Sequence, residues 1–158
     1  MSCGGCHRRF AVPEPGVRVR ESRDIAPEEL LALLDACGAA PRARDPGRIE
    51  LAIENSPYIA HARAGDALVA YLSAFSDSAC AVFVAQFVVH PAWRRRGLGT
   101  HLLRKLEAQY PGVPVQVEAD SAALPFFEKL GYCTRPLLCA MTKPAKTANP
   151  ADAIGATP

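Results

Sequence analysis

Hydrophobic and polar positions along this chain fall into blocks, and the period changes from block to block. Val17 to Arg20 reads Val-Arg-Val-Arg, the period of a half-buried strand. Pro27, Glu28 and Glu29 suit the first turn of a helix, where proline is tolerated and acids favour the dipole. Leu30, Leu31, Leu33, Leu34 and Cys37 give that helix an apolar stripe, and Gly38 stops it. Residues 39–47 are rich in Pro and Arg and read as a loop. Arg48 to Asn55 fits two periods. Ile49, Leu51 and Ile53 alternate as in a strand, whereas Ile49, Ala52 and Ile53 share one helical face. Ser56-Pro57 would end a helix, and a helix is the reading adopted.

Tyr58 to Ala64 and Ala67 to Phe75 read as two strands joined by the short turn Gly65-Asp66. Ser76, Asp77 and Ser78 form the next turn. Ala81 to Val89 is the longest apolar run and predicts the central strand. A helix follows from about Gly97 to Tyr110, with apolar positions at Leu98, Leu102, Leu103, Leu106 and Tyr110, and Pro111-Gly112 breaks it. Val113 to Ala119 is a strand with Val113, Val115 and Val117 on one face, and Ala122 to Leu130 is a short helix ended by Gly131. Tyr132 to Thr134 and Leu137 to Thr142 complete the pattern as strands, giving the order βααβββαβαββ. Residues 1–16 show no period and predict a flexible tail. Residues 144–158, rich in Pro, Ala and Thr, have too little apolar surface to order themselves and predict a disordered one. The domain is then expected over residues 17–143.

A chain of 158 residues, 49% hydrophobic and 22% charged, suits one globular domain. The formal net charge of +2 gives no reason to expect nucleic acid as a partner. No apolar run approaches the roughly 20 residues that span a bilayer, so no membrane association is expected. Arg8 and Arg9 are not followed by the apolar stretch of a signal peptide, and a cytoplasmic location is the default expectation. The six cysteines are then read as free thiols. Cys3-Gly4-Gly5-Cys6-His7 has the spacing of a c-type haem attachment site and three groups able to ligate a metal. No second ligand cluster accompanies it, and no metal is expected.

The chemistry concentrates in His90 to Leu103, reading His-Pro-Ala-Trp-Arg-Arg-Arg-Gly-Leu-Gly-Thr-His-Leu-Leu. A strand, a basic glycine-containing loop and a helix follow one another there. The first turn of a helix has N–H groups without intrahelical partners, and the dipole is positive at that end. Gly97 and Gly99 allow close approach to the main chain, and Arg94, Arg95 and Arg96 add three cations suited to oxyanions. A Walker loop is absent, and Leu102 occupies the third glycine position of a dinucleotide fingerprint. What remains is Arg-x-x-Gly-x-Gly, as Arg94, Gly97 and Gly99.

From Val88 to Leu103 this stretch resembles the pyrophosphate-binding motif of the GNAT superfamily of acyl-CoA-dependent N-acyltransferases. A second piece, Asp120 to Tyr132, resembles that family's second cofactor motif, although Asp120 stands where an Asn is frequent and Phe127 where many members carry a Tyr that protonates the leaving thiolate. The resemblance covers residues 17–143. It implies an α/β (α+β) fold with a mixed, mostly antiparallel central sheet flanked by helices. It also implies acetyl transfer from acetyl-CoA, as co-substrate, to a primary amine, with no covalent intermediate. The acceptor would be a small-molecule amine or a peptide, and a homodimer is compatible with the family.

Carried over residue by residue, the resemblance gives the main chain of Phe87, Val88 and Val89 to pantetheine and the acyl carbonyl. Arg94, Arg95, Arg96, Gly97, Leu98, Gly99 and Thr100 would hold the pyrophosphate, and Asp120 and Phe127 would complete the cofactor site. The central strand would bulge and splay from its neighbour. An alkyl amine has a pKa near ~10.4, so a proton must be removed before attack. Glu118 and His90 are the candidate catalytic groups, with His61 a further candidate base, Gln86 able to orient a water, and Cys133 or Tyr132 available as acids. The missing tyrosine also motivates an alternative, a non-catalytic acyl-CoA-binding or regulatory domain.

Overall fold

A computed structural model of the chain describes residues 16–39, 45–135 and 141. The tails expected at residues 1–16 (apart from Gly16) and 144–158, the Cys3-Cys6-His7 cluster and, apart from Met141, the strand expected at Leu137 to Thr142 lie outside the described residues. The described residues divide into two compact units, one ending at Glu118 and one beginning at Ala119.

The first unit is a five-stranded sheet in the order β1-β2-β3-β4-β5. Its strands are β1 (Val17–Arg20), β2 (Tyr58–Ala64), β3 (Ala67–Ser76), β4 (Val82–Val89) and β5 (Val115–Val117). β1 to β4 pair antiparallel, and β5 joins β4 in parallel. Its helices are α1 (Pro27–Ala36), α2 (Pro46–Asn55) and α3 (Leu98–Gln109), with a 3₁₀ turn at Pro91–Trp93. The mostly antiparallel sheet flanked by helices is the fold that the resemblance implied.

Side chains alternate across the sheet, so its two faces have different covers. On one face Ile59, Tyr71 and Val88 pack with Leu30, Leu33 and Leu34 of α1 and Ile49 and Ile53 of α2. The helical period of Arg48 to Asn55 therefore wins over the strand period. Pro46 opens α2, Asp45 caps it by accepting the Gly47 N–H, and Leu51, the residue that only the strand pattern would bury, is exposed. Arg63 of β2 holds α1 in place, its guanidinium donating to both carboxylate oxygens of Glu29 at 2.8 and 2.6 Å. That bond, with the Ala26 N–H on the same carboxylate, holds Glu29 below the usual carboxylate range.

The other face belongs to α3. Leu98, Leu102, Leu103 and Leu106 are buried, as are Ala60, Ala62, Ala70, Leu72 and Ala74 of the strands. Small residues on the sheet let the leucine stripe of α3 come close. Tyr58 of β2 meets Tyr110, the residue after α3, edge to face at 6.1 Å. Its hydroxyl donates to Glu21, and Lys105 of α3 pairs with the same carboxylate at 3.4 Å.

The second unit contains α4 (Leu124–Lys129). Tyr132 to Thr134, expected as a strand, is irregular. A three-residue strand depends on a ladder, and no partner strand lies beside it among the described residues. Among the described residues no helix is long and apolar enough to cross a membrane, and no cluster of His, Cys, Asp and Glu could hold a metal ion.

Candidate active site

The arginine-rich loop is built by its own main chain. After β4 the His90 N–H donates to Val69 O of β3 at 2.9 Å. His90 O then accepts the Trp93 N–H, Pro91 O accepts the Arg94 N–H, and His90 Nδ1 accepts the Ala92 N–H at 3.2 Å. The turn into α3 runs through two left-handed residues, Arg95 (φ 60°) and Gly97 (φ 79°). Such a backbone costs a residue with a Cβ about 1–2 kcal/mol; Gly97 avoids that cost, whereas Arg95 bears it. The first bond of α3 is from the His101 N–H to Gly97 O at 2.9 Å. The N–H groups of Leu98, Gly99 and Thr100 therefore precede the helix's own ladder and point out of its positive end.

The three arginines are exposed around that end. Arg96 lies over the Trp93 ring at 4.9 Å, and Arg94 donates from Nε to Val89 O at 3.0 Å. Cys37, just past α1, donates from Sγ to the same carbonyl at 3.4 Å. Burial raises the Cys37 thiol pKa, with the Arg94 guanidinium acting in the opposite direction. Cys37 marks the end of an apolar stripe in sequence, and its place beside Arg94 comes entirely from tertiary packing. Three exposed arginines thus directly precede a helix N-terminus with a glycine-bearing main chain, the composition that suits a phosphate-type anion.

The strand leading into this loop is interrupted. Ser73 pairs with Gln86 and Ala74 with Val84, so Ala85 is an extra residue on β4. On the other side, β5 pairs with β4 only from Val82 to Val84. Past Ala85 the two parallel strands part. Main-chain groups on β4 alternate in direction. Because His90 bonds Val69, Val88 turns its N–H and C=O to Tyr71 of β3, while Phe87 and Val89 turn theirs to the side that β5 has left. Of the three residues expected to present main chain, Val88 is taken up by the ladder, and Val89 turns to the gap side with its carbonyl already held by Arg94 and Cys37.

The candidate proton acceptors separate in this frame. Glu118 is exposed and is the residue after Val117, whose ladder partner is Val84; it thus stands where the strands part, next in register to the bulge. His90 uses the Nδ1 lone pair inside its own turn. A neutral ring then carries its proton on Nε2 and has no second acceptor. His61, on β2, is 1% exposed and out of reach of a substrate; burial, then Arg63, lowers its pKa. Gln86 shares a sheet face with Ser73 and Tyr71. Burial raises the Tyr71 pKa.

In the second unit, Asp120 Oδ1 accepts the Ala123 N–H at 2.8 Å and so starts the turn into α4. Phe127 is buried and packs edge-on with Phe126 (5.1 Å) and Tyr132 (5.4 Å). Cys133 is an exposed free thiol.

A bulged strand thus leads into a helix N-terminus flanked by arginines, beside the gap that β5 leaves. The sequence agrees: residues 27–132 match the acetyltransferase (GNAT) family, and the chain belongs to that family. Solved structures share the fold. A GNAT-family acetyltransferase of Streptococcus pneumoniae TIGR4 is 20% identical, with a TM-score of 0.66 over 83% of this chain and 99% of that one. An aminoglycoside acetyltransferase from an uncultured soil metagenomic sample, solved with trehalose, is 17% identical, with a TM-score of 0.67 over 84% and 99%. An acetyltransferase of Trypanosoma brucei is 18% identical, with a TM-score of 0.61 over 80% and 99%. Among curated proteins, no relative matches.

Proposed function

We propose that the protein transfers an acetyl group from acetyl-CoA to a primary amine by direct attack, and that the acceptor is a small-molecule amine or a peptide. The observation that carries this reading is the junction at Ala85: a bulge on β4, the end of β5 one residue before Glu118, and the arginine loop at the end of the same strand.

Arg94, Arg95 and Arg96, with the main chain of Gly97, Leu98, Gly99 and Thr100, hold the pyrophosphate at the positive end of α3. The main chain of Phe87 and Val89 guides the pantetheine arm along the gap, much as a peptide adds to a sheet edge. A main-chain N–H of β4 stabilises the oxyanion as the amine nitrogen bonds to the thioester carbon. Glu118 takes the amine proton, directly or through a water that Gln86 orients. The C–S bond then breaks, the amide remains, and CoA leaves as a thiolate. Asp120 and Phe127 enter as parts of the family's second cofactor motif. Phe127 has no hydroxyl to give the thiolate. A thiol pKa near ~8.5 makes thiolate a fair leaving group at neutral pH, so the general acid is dispensable to the reading. The same phenylalanine favours one second reading, an acyl-CoA-binding domain without turnover.

CoA release measured with acetyl-CoA and a panel of primary amines separates the two. Turnover with at least one amine, lost in Gly99→Glu, is the expected result. Acetyl-CoA binding with no turnover on any amine would select the binding domain.

A further inference from the structure

Three segments meet at one main-chain oxygen. Val89 ends β4, and its carbonyl accepts from Arg94 Nε at 3.0 Å and from Cys37 Sγ at 3.4 Å. A carbonyl oxygen has two lone pairs, so both bonds are held together. Arg94 belongs to the loop ahead of α3, whereas Cys37 lies 52 residues before Val89, at the end of α1.

The thiol is held in place from its own side. The Cys37 N–H donates to Leu33 O at 3.0 Å and to Leu34 O at 3.1 Å. Gly38 follows with φ 67°, and the Ala39 N–H closes back on Leu34 O at 3.0 Å. A left-handed turn of this kind ends many helices, and here it fixes the direction in which the chain leaves α1 at Cys37. The Cys37 side chain packs against the core that includes Leu30, Leu33, Leu34 and Val88. Burial raises the thiol pKa, so the group keeps its proton and remains a donor.

Arg94, by contrast, is exposed, and a long side chain in solvent has many rotamers open to it. Its guanidinium is a rigid planar fork, so the bond from Nε to Val89 O sets the plane in which the remaining donors lie. The direction of that carbonyl therefore decides where those donors point, and Cys37 shares the carbonyl.

We propose that Cys37 is a positioning residue of the cofactor site: through the Val89 carbonyl it keeps the Arg94 guanidinium aimed at the head of α3, where the pyrophosphate of acetyl-CoA is held. This rests on the acetyl-CoA reading and adds to it a residue of α1, outside both cofactor motifs. The thiol takes no part in the chemical step.

The test measures acetyl-CoA affinity of the full-length protein by titration calorimetry in wild type, Cys37→Ala, Cys37→Val, Cys37→Ser, Arg94→Ala and the double variant Cys37→Ala with Arg94→Ala. Loss of the thiol donor in Cys37→Ala should raise Kd about three- to tenfold, the worth of one modest hydrogen bond. Cys37→Val keeps an apolar side chain without a donor; it should act alike and serves if the alanine variant fails to fold. Cys37→Ser restores a donor and should stay within about twofold of wild type. The decisive readout is coupling: Cys37→Ala should add nothing to Kd once Arg94 is alanine. An unchanged Kd in both apolar variants, or a serine variant as weak as they are, would overturn the inference while leaving the cofactor site standing. An equal further loss in the Arg94→Ala background would make Cys37 a packing residue of α1 and overturn it as well. Failure of the wild type to bind acetyl-CoA would overturn the cofactor reading, and this inference with it.

Discussion

Arg94 joins strand to loop: its Nε holds the Val89 carbonyl, and the rest of its guanidinium lies at the exposed head of α3. Bonds to a charged partner are worth about 1.5–3 kcal/mol, so Arg94→Ala should weaken acetyl-CoA binding by roughly 10- to 100-fold. Arg20→Ala, on the edge strand β1, should change it little, as titration calorimetry of both variants would report. His61 makes a separate prediction, about stability. Burial lowers its pKa in the folded chain, and its Nδ1 has no partner to stabilise a second proton. The unfolded chain therefore takes up the proton first as pH falls. Full stability holds above an unfolded value of about 6.5 and declines as pH drops from there through the folded value. Glu29 acts in the same direction but at lower pH, since its carboxylate titrates below the usual range. Urea midpoints should fall between pH 7 and pH 5 in wild type and stay flatter in His61→Leu. Equal slopes would show that His61 is not the group responsible. At this scale the loop residues were legible because glycine and arginine carry their chemistry in their type. His90 was not, because the sequence does not say that its Nδ1 serves its own turn. Phe75 and Phe83 looked like ordinary strand residues until pairing placed them opposite each other in the open.

The elements followed from periodicity wherever one face of an element is buried and the other is not. α3 is the clearest case: Leu98, Leu102, Leu103 and Leu106 repeat at helical spacing, and all four are buried. Leu102→Ala should remove about 2–5 kcal/mol of stability in a denaturant titration, since it opens a cavity against the sheet's small residues. A loss below about 1 kcal/mol would mean that α3 is not packed as described. Arg48 to Asn55 was ambiguous because two periods overlapped, and burial of Ile49 and Ile53 without Leu51 decided it. β5 came out shorter than its apolar pattern, Val115–Val117 within the expected Val113 to Ala119, because strand length is set by the ladder available on β4. The bulge at Ala85 has no local signature of its own. It is a difference of one residue between two strands and exists only in their pairing. It was expected from the family resemblance, not from the run Ala81 to Val89.

For the whole molecule, the order of elements from β1 to α4 was readable, while the meeting of distant segments was not. The proposed site draws on β4, on the loop at 94–100 and on Glu118 after β5, with Cys37 after α1 bonded to the end of β4, and composition says nothing of such pairings. The central claim is that this site binds acetyl-CoA. Heating the protein with acetyl-CoA, and separately with ATP and with NAD, tests it most directly. At a ligand concentration of about 100 times Kd, binding adds ~2.7 kcal/mol of stability. For a chain of this size that is a rise of roughly 2–4 °C per kcal/mol. A rise of several degrees with acetyl-CoA, small with ATP and NAD and lost in Gly99→Glu, is the predicted result. No rise, or an equal rise with all three, would contradict the account and reduce residues 94–100 to a general anion-binding loop.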